Sequence, residues 1–432
     1  MLRFLRKQPP ARIVAAGFLL VILLGSLLLI LPCSLRPGVR LSYTDALYTS
    51  TSAVCVTGLV VVDAYDTFTP LGQFFLGCLI QIGGLGVASI GTGIALMLGG
   101  KLDLKGQTLI RETLNLSSGK GLIRFLRSVF FITVTIELAG ALLSFPVFLK
   151  QYPPVRAAGI SLFHSVAAFN NSGFDILGGM RNLIPYQSDI PLNLITCALV
   201  ILGGIGFPVL RELWAKRFRL RFLSLHTKVV LSVNTALLAA GTLLLYLSEN
   251  ISWLGAFFFS VSARTAGFST YPLASFTQPG LLVITLLMFI GASPGSTGGG
   301  IKTTTFFVLL QGIRSAATNR GERAFRYSIP ADAFRKAAVI TALALGIVTC
   351  GTYLMTVFEP QLPLMDILFE TVSAFGTAGL STGISPSLST ASRLLSIVLM
   401  YIGRLGPMTV ATVWHFTNGD RIRHPEGNIA IG

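Results

Sequence analysis

Four times along this chain a short, hydroxyl-rich apolar segment runs into a glycine, and a second glycine cluster follows on a long apolar stretch roughly 25 to 30 residues later. The segments are Ser50 to Gly58, Ser165 to Gly173, Val261 to Gly267 and Thr371 to Gly379. Repetition at this spacing marks a structural unit used four times, and it constrains every later reading of a single residue.

The surroundings of the repeats set their environment. With 52% hydrophobic and only 12% charged residues over 432 positions, the chain is too apolar for a soluble protein of its length and fits a polytopic membrane protein. Apolar runs at about 13–31, 71–98, 128–149, 192–210, 228–247, 280–312, 336–358 and 393–416 each approach or exceed the roughly 20 helical residues that a hydrocarbon core requires. Each repeat segment lies between two such runs and is too short to cross as a helix, so it is expected to enter and return. The expected unit is one span (M1), a short re-entrant pore helix and a second span (M2). Four of these occupy 1–110, 111–222, 223–322 and 323–432. The resulting fold is an all-α polytopic membrane protein with eight transmembrane spans plus four re-entrant pore helices around a central pseudo-fourfold ion pore.

Charge supports the threading. With both termini cytoplasmic, the inner connections hold most of the basic residues, among them Arg12, Lys101, Lys105, Arg111, Arg211, Lys216, Arg314, Arg335, Arg421 and Arg423. The outer connections hold only Arg36, Arg40, Lys150, Arg156, Arg181 and Arg393. This follows the positive-inside rule and puts the repeat segments on the outer side of the membrane. The net charge of +16 is then a topology signal, split among connections, and no nucleic-acid partner is expected. The basic-then-apolar beginning is longer than a signal peptide's apolar region and ends in Pro32-Cys33-Ser34, so it reads as a retained first span in the lipid bilayer. Cys33, Cys55, Cys78, Cys197 and Cys350 lack metal-ligand spacing and read as small core residues.

A cation crossing a low-dielectric layer needs oxygens in place of its water, and rings of backbone carbonyls supply them without fixed charge. Glycine permits the backbone conformations that turn carbonyls inward. A short helix ending just before it aims the negative end of its dipole at the pore. Gly58, Gly173, Gly267 and Gly379 are expected to form one ring. Thr44-Asp45, Ser161, Ser252 and Asp366 stand where the short helices should begin.

The second glycine clusters lie at Gly83–Gly86, Gly203–Gly206, Gly291–Gly295 and Gly403–Gly406. In the first two, close helix packing is a sufficient account. The third continues as Gly291-Ala292-Ser293-Pro294-Gly295-Ser296-Thr297-Gly298-Gly299-Gly300, which cannot persist as helix. Broken backbone at membrane depth survives only inside protein or along a wet cavity, so this loop is expected to be a gate. It is not a phosphate-binding loop, because Ile301 separates Gly300 from Lys302-Thr303. Arg404, in the middle of the last span, is expected to face the cavity beneath the ring as an electrostatic barrier touching that loop. Lys302 is either pore-lining or snorkelling. Arg264, inside the third segment, is expected behind the ring, paired with Glu370. Asp63, Asp66, Asp175 and Glu249 either attract cations to the outer mouth or belong to solvated loops.

In these residues the chain resembles the Trk/Ktr/HKT superfamily of potassium transporters, in particular the bacterial Ktr-type translocating subunit. The resemblance spans essentially the whole chain, and eight spans without an additional helix pair favour Ktr over Trk. It implies a potassium-binding filter of Val56, Thr57 and Gly58; Asn171, Ser172 and Gly173; Thr265, Ala266 and Gly267; and Thr377, Ala378 and Gly379. It also implies potassium as the transported ion, sodium as an activator, a homodimer with one pore per subunit, and a cytoplasmic ring of nucleotide-binding RCK-type regulatory subunits. Glycine at all four key positions is the pattern associated with potassium preference in that superfamily. In the third segment Ala263 lies four residues before its glycine, where Ala53, Ala168 and Ala374 lie five before theirs. Imperfect symmetry is expected in that quarter.

Two other readings compete. A sodium-selective or obligatorily sodium-coupled transporter shares the architecture. An intramembrane enzyme would need converging catalytic groups at membrane depth, and the spans offer only Glu137 and Arg404, with His164, His226, His415 and His424 unclustered. No enzyme activity and no organic cofactor are expected.

Overall fold

The computed structural model describes residues 10–87, 89, 122–319, 321 and 323–413. Most of them are helical, and the helices recur in the order long, short, broken. In the first quarter these are α1 (Pro10–Ile30), α2 (Tyr43–Val54) and α3 (Pro70–Leu85). The second has α4 (Leu122–Leu149), α5 (Pro154–Phe169), α6 (Ile190–Gly204) and α7 (Phe207–Ala215). The third has α8 (Leu225–Ser248), α9 (Trp253–Ser262), α10 (Gln278–Phe289) and α11 (Thr303–Thr318). A small hairpin of β1 (Arg323–Ala324) and β2 (Tyr327–Ser328) precedes the fourth quarter, α12 (Ala331–Phe358), α13 (Leu364–Gly376), α14 (Thr390–Leu405) and α15 (Pro407–Val413).

The long helices α1, α4, α8 and α12 carry stretches long and apolar enough to cross a membrane, and the pair α6–α7, bent by 98°, passes the same test jointly. They turn leucine and phenylalanine outward: Leu20, Leu24, Phe131, Leu142, Leu247 and Leu345 are all exposed. Large apolar side chains exposed along such helices suit a lipid surrounding. The interior is filled by the hydroxyl-rich short helices, where Thr49, Ser50, Thr51 and Ser52 are fully buried.

How a short helix seats on its long helix is repeated too. In three quarters a serine hydroxyl of the short helix donates to a long-helix carbonyl: Ser50 to Ile22 at 2.7 Å, Ser165 to Glu137 at 2.6 Å and Ser260 to Leu238 at 2.9 Å. Three residues beyond each acceptor stands a glycine, Gly25, Gly140 or Gly241, whose missing side chain makes room for that hydroxyl. In the fourth, Thr371 sits against Gly351 but donates within its own helix, to Ile367. Small residues that admit close approach are the usual means of packing helices in a membrane.

The expected outgoing spans differ from the structure. Only the third was expected to break, yet Gly86 (φ 85°), Gly206 (φ 96°) and Gly406 (φ 87°) interrupt the other three as well. A right-handed helix cannot continue through a left-handed residue, and glycine adopts one without steric cost. The preceding glycines serve the close packing anticipated for them. A methyl on Gly83, Gly203 or Gly403 would run into the carbonyl of Val54, Phe169 or Phe375, at the end of the neighbouring short helix. Because a backbone oxygen cannot step aside, Gly203→Ala is expected to cost about 1–3 kcal/mol and to lower the unfolding temperature in detergent. Gly159→Ala, with nothing within 4 Å of its added methyl, is the matched control and should melt like the parent.

Helix starts differ in one quarter. Ser42 and Ser252 cap α2 and α9 with their hydroxyls, and Asp45 and Asp366 lie in first turns. Ser161 is inside α5 instead, donating to Ala157; that helix begins at Pro154, whose fixed φ suits a first turn. The first and fourth quarters are joined by an ion pair between Asp45 and Arg393 and by the Tyr401 hydroxyl on the carbonyl of Ala15. Lys101, Lys105, Arg111, Arg421, Arg423, His415 and His424, together with the far ends of the 71–98 and 393–416 runs, lie outside the described residues.

Candidate functional site: a ring of four segments above a basic cavity

All four short helices end within five residues of their glycine, at Val54, Phe169, Ser262 and Gly376. Two residues before each glycine stands a non-glycine residue with positive φ: Val56 (56°), Asn171 (58°), Thr265 (74°) and Thr377 (49°). The glycines follow at 94°, 67°, 77° and 79°. Left-handed backbone at Val56, Thr265 and Thr377 is unfavourable for branched side chains, and strain of this kind persists only where the surroundings impose it.

The segments meet in cyclic order. A methyl on Gly58 would strike the carbonyl oxygen of Ser172, and one on Gly173 would lie 2.8 Å from that of Ala266. One on Gly267 would lie 2.9 Å from that of Ala378, and one on Gly379 would strike that of Thr57. Each glycine therefore abuts the carbonyl preceding the next glycine, and the fourth returns to the first. The sequence irregularity in the third quarter is absorbed upstream of the ring. Thr57, Ser172 and Ala378 donate their N–H five residues back, whereas Ala266 donates four back to Ser262.

Directly below, the connection from Ile290 to Lys302, itself part of the third quarter, is tied to the second and the fourth. The N–H groups of Ser293 and Thr297 donate to the carbonyls of Gly204 and Gly203, and Phe207 donates to the carbonyl of Gly295. The Gly299 N–H donates to the Thr377 hydroxyl at 2.9 Å. Its ends are drawn together by a parallel bridge between Ile290 and Ile301. Gly291, Ala292, Ser293, Thr297, Gly298, Gly299 and Gly300 are buried, while Pro294 and Ser296 are partly exposed.

Beneath this connection opens a cavity of about 220 Å³, lined among others by Phe18, Gly86, Ser296, Lys302, Arg404 and Gly406. Arg404 spans it, donating to the carbonyls of Thr297 on the connection and of Gly83 and Gly84 on α3. Lys302 does not snorkel: its amine folds back on the carbonyl of Gly298 at 2.7 Å. Both cations are held by neutral carbonyls, and among the described residues the ion pairs are confined to Lys336–Asp332 and Arg393–Asp45.

One expectation about charges is revised, and one left open between two readings is narrowed. Arg264 lies behind the ring but is not paired with Glu370. It donates to Asn234 Oδ1 on α8 and to the carbonyl of Gly291, while Glu370 accepts from the Ser385 hydroxyl. Asn234 was missed; an amide in the middle of an apolar run was the available signal. The outer acids act mainly as loop caps. Asp63 accepts from the backbone of Tyr65, Asp66 and Met180, Asp66 from Gly179, and Glu249 from Thr277. Asp175, just beyond the ring, accepts from Leu177, and burial pushes its carboxyl up to about 6.

Four helical units whose glycine segments meet in a closed ring have the architecture of a membrane transport protein. A model of the TrkH family, described as cation transport protein, matches residues 6–422. The chain is 39% identical to the Ktr system potassium uptake protein B of Bacillus subtilis, over all of this chain and 98% of that one. It is 36% identical to the potassium/sodium uptake protein NtpJ of Enterococcus hirae, over 94% and 93% of the two. The crystal structure of the potassium transporter TrkH from Vibrio parahaemolyticus superposes with a TM-score of 0.71 at 19% identity, covering 93% of this chain and 86% of that one. The chain belongs to the TrkH family of cation transport proteins, and is a transporter rather than an enzyme.

Proposed function

We propose that the chain takes up potassium across the cytoplasmic membrane through the ring. Its four long helices and four broken ones act as eight spans, the short helices α2, α5, α9 and α13 enter and return from outside, and both termini face the cytoplasm. Val56–Gly58, Asn171–Gly173, Thr265–Gly267 and Thr377–Gly379 form the filter, their carbonyls replacing potassium's water. Gly291–Gly300 and Arg404 form the gate. The observation that carries this reading is the cyclic contact of four glycines, each two residues after a left-handed residue. Glycine at all four positions favours potassium over a sodium-selective pore.

The names of the relatives support potassium as cargo and, through the word system, a second component. We assign that component to a cytoplasmic RCK-type nucleotide-binding ring beneath a homodimer, with sodium as an activator. Rubidium uptake by purified protein in liposomes, with sodium varied and the regulatory subunit added or omitted, tests these points together. Saturable uptake competed by potassium is expected, rising when the subunit is added. Uptake no greater than in empty liposomes would remove the transport reading.

A further inference from the structure

Arg264 is a buried charge that ion conduction itself does not use. It is 6% exposed and immediately precedes Thr265, the left-handed residue of the third segment. Among the described residues no carboxylate lies within ion-pair distance of it. Two neutral oxygens solvate it instead: Asn234 Oδ1, and at 3.2 Å the carbonyl of Gly291, where the connection below the ring begins. The Asn234 amide also donates to the Ser293 hydroxyl at 3.1 Å, and that hydroxyl accepts from Thr303 at 3.1 Å, where the connection ends. One line of hydrogen bonds therefore joins the third filter segment, through a cation, to both ends of the connection.

A buried cation without a counter-ion is tolerated only while oxygens occupy its donors. The connection cannot swing aside without withdrawing the Gly291 carbonyl from Arg264. Conversely, Arg264 cannot shift without disturbing Thr265, its neighbour in the chain. A second contact reinforces the first. A methyl on Gly298 would strike the Thr265 hydroxyl, so the connection rests directly against the side chain that this left-handed residue turns downward.

We propose that Arg264 and Asn234 form a latch through which the ion content of the filter sets the mobility of the 291–303 connection. With potassium in place the third segment is rigid and the latch holds the connection shut against the ring. With the filter vacated the segment relaxes, Arg264 loses its alignment with Gly291, and the connection loosens. The proposal deepens the transport reading and rests on it. Arg264 is a positioning residue in this scheme and contacts no ion.

The test reads the connection's position rather than flux. Ser296→Cys, which lines the cavity, is labelled by an impermeant maleimide from the cytoplasmic side of inside-out vesicles, in potassium and in choline, with labelling of the parent subtracted. Labelling is expected to be about tenfold faster in choline, the scale set by losing one charge-assisted hydrogen bond. In Asn234→Leu and in Arg264→Gln it should be fast in both media, bringing the ratio near one. Ser293→Ala, which leaves Arg264's own partners in place, should give an intermediate ratio, and Arg264→Lys should restore part of it. Equal rates in the Ser296→Cys protein, or an unaltered ratio in Asn234→Leu, would overturn the latch. Rubidium uptake by the parent protein separates the two ideas: uptake together with ion-insensitive labelling refutes the latch alone, and no uptake by the parent refutes the reading beneath it.

Discussion

Serine in place of Gly58 should reduce the preference for potassium over sodium by about tenfold or more, equivalent to about 1.4 kcal/mol of differential binding. The backbone there has a φ of 94°, and an added Cβ would strike the carbonyl of Ser172. Either the first segment leaves its left-handed conformation or the second retreats, and both movements change the spacing of carbonyls around the ion. Discrimination between two alkali cations depends on that spacing and on how many carbonyls reach the ion together. Gly379→Ser meets the carbonyl of Thr57 in the same way and should behave alike. The measurement is competition by sodium and by potassium against rubidium uptake in liposomes. An unaltered ratio would remove Gly58 from the filter.

Alanine at Arg404 should act in the opposite sense on flux, raising uptake in the absence of any partner by about tenfold or more. The guanidinium joins Thr297 on the connection to Gly83 on α3, across the cavity. Its removal takes away charge-assisted bonds that hold the connection in place and, on the proposed reading, a positive charge from the cation's path. Lysine cannot span both carbonyls with its single amine, so Arg404→Lys should keep the electrostatic barrier but lose much of the tether. Unchanged flux in Arg404→Ala and in a chain shortened within 296–298 would sink the gate assignment.

The fourfold plan was legible because hydrophobic periodicity, charge asymmetry and the glycine segments are each local patterns that repeat. The interruption at Gly291–Gly300 was legible because ten small or helix-breaking residues in succession admit no helix. Breaks at Gly86, Gly206 and Gly406 were not, since a single glycine in an apolar run reads equally as packing; only the left-handed φ distinguishes them. The partner of Arg264 was misjudged for a related reason. Charge complementarity pointed to Glu370, but a buried guanidinium is also satisfied by amide and carbonyl oxygens, and those leave no mark in composition. Ser161 failed as a cap because proline starts α5 without a side-chain acceptor.

The contacts between the outermost quarters carry a consequence for biogenesis. Gly379 against Thr57, Arg393 with Asp45, Tyr401 on Ala15 and Arg404 on Gly83 all join residues more than three hundred positions apart. None of them can form until the last quarter has been made and inserted. A nascent chain with three quarters in the bilayer has the lipid-facing helices but no closed ring and no arginine beneath it. On the proposed reading, the ring and the arginine beneath it are thus completed by the same final segment, and no partly made chain would hold one without the other.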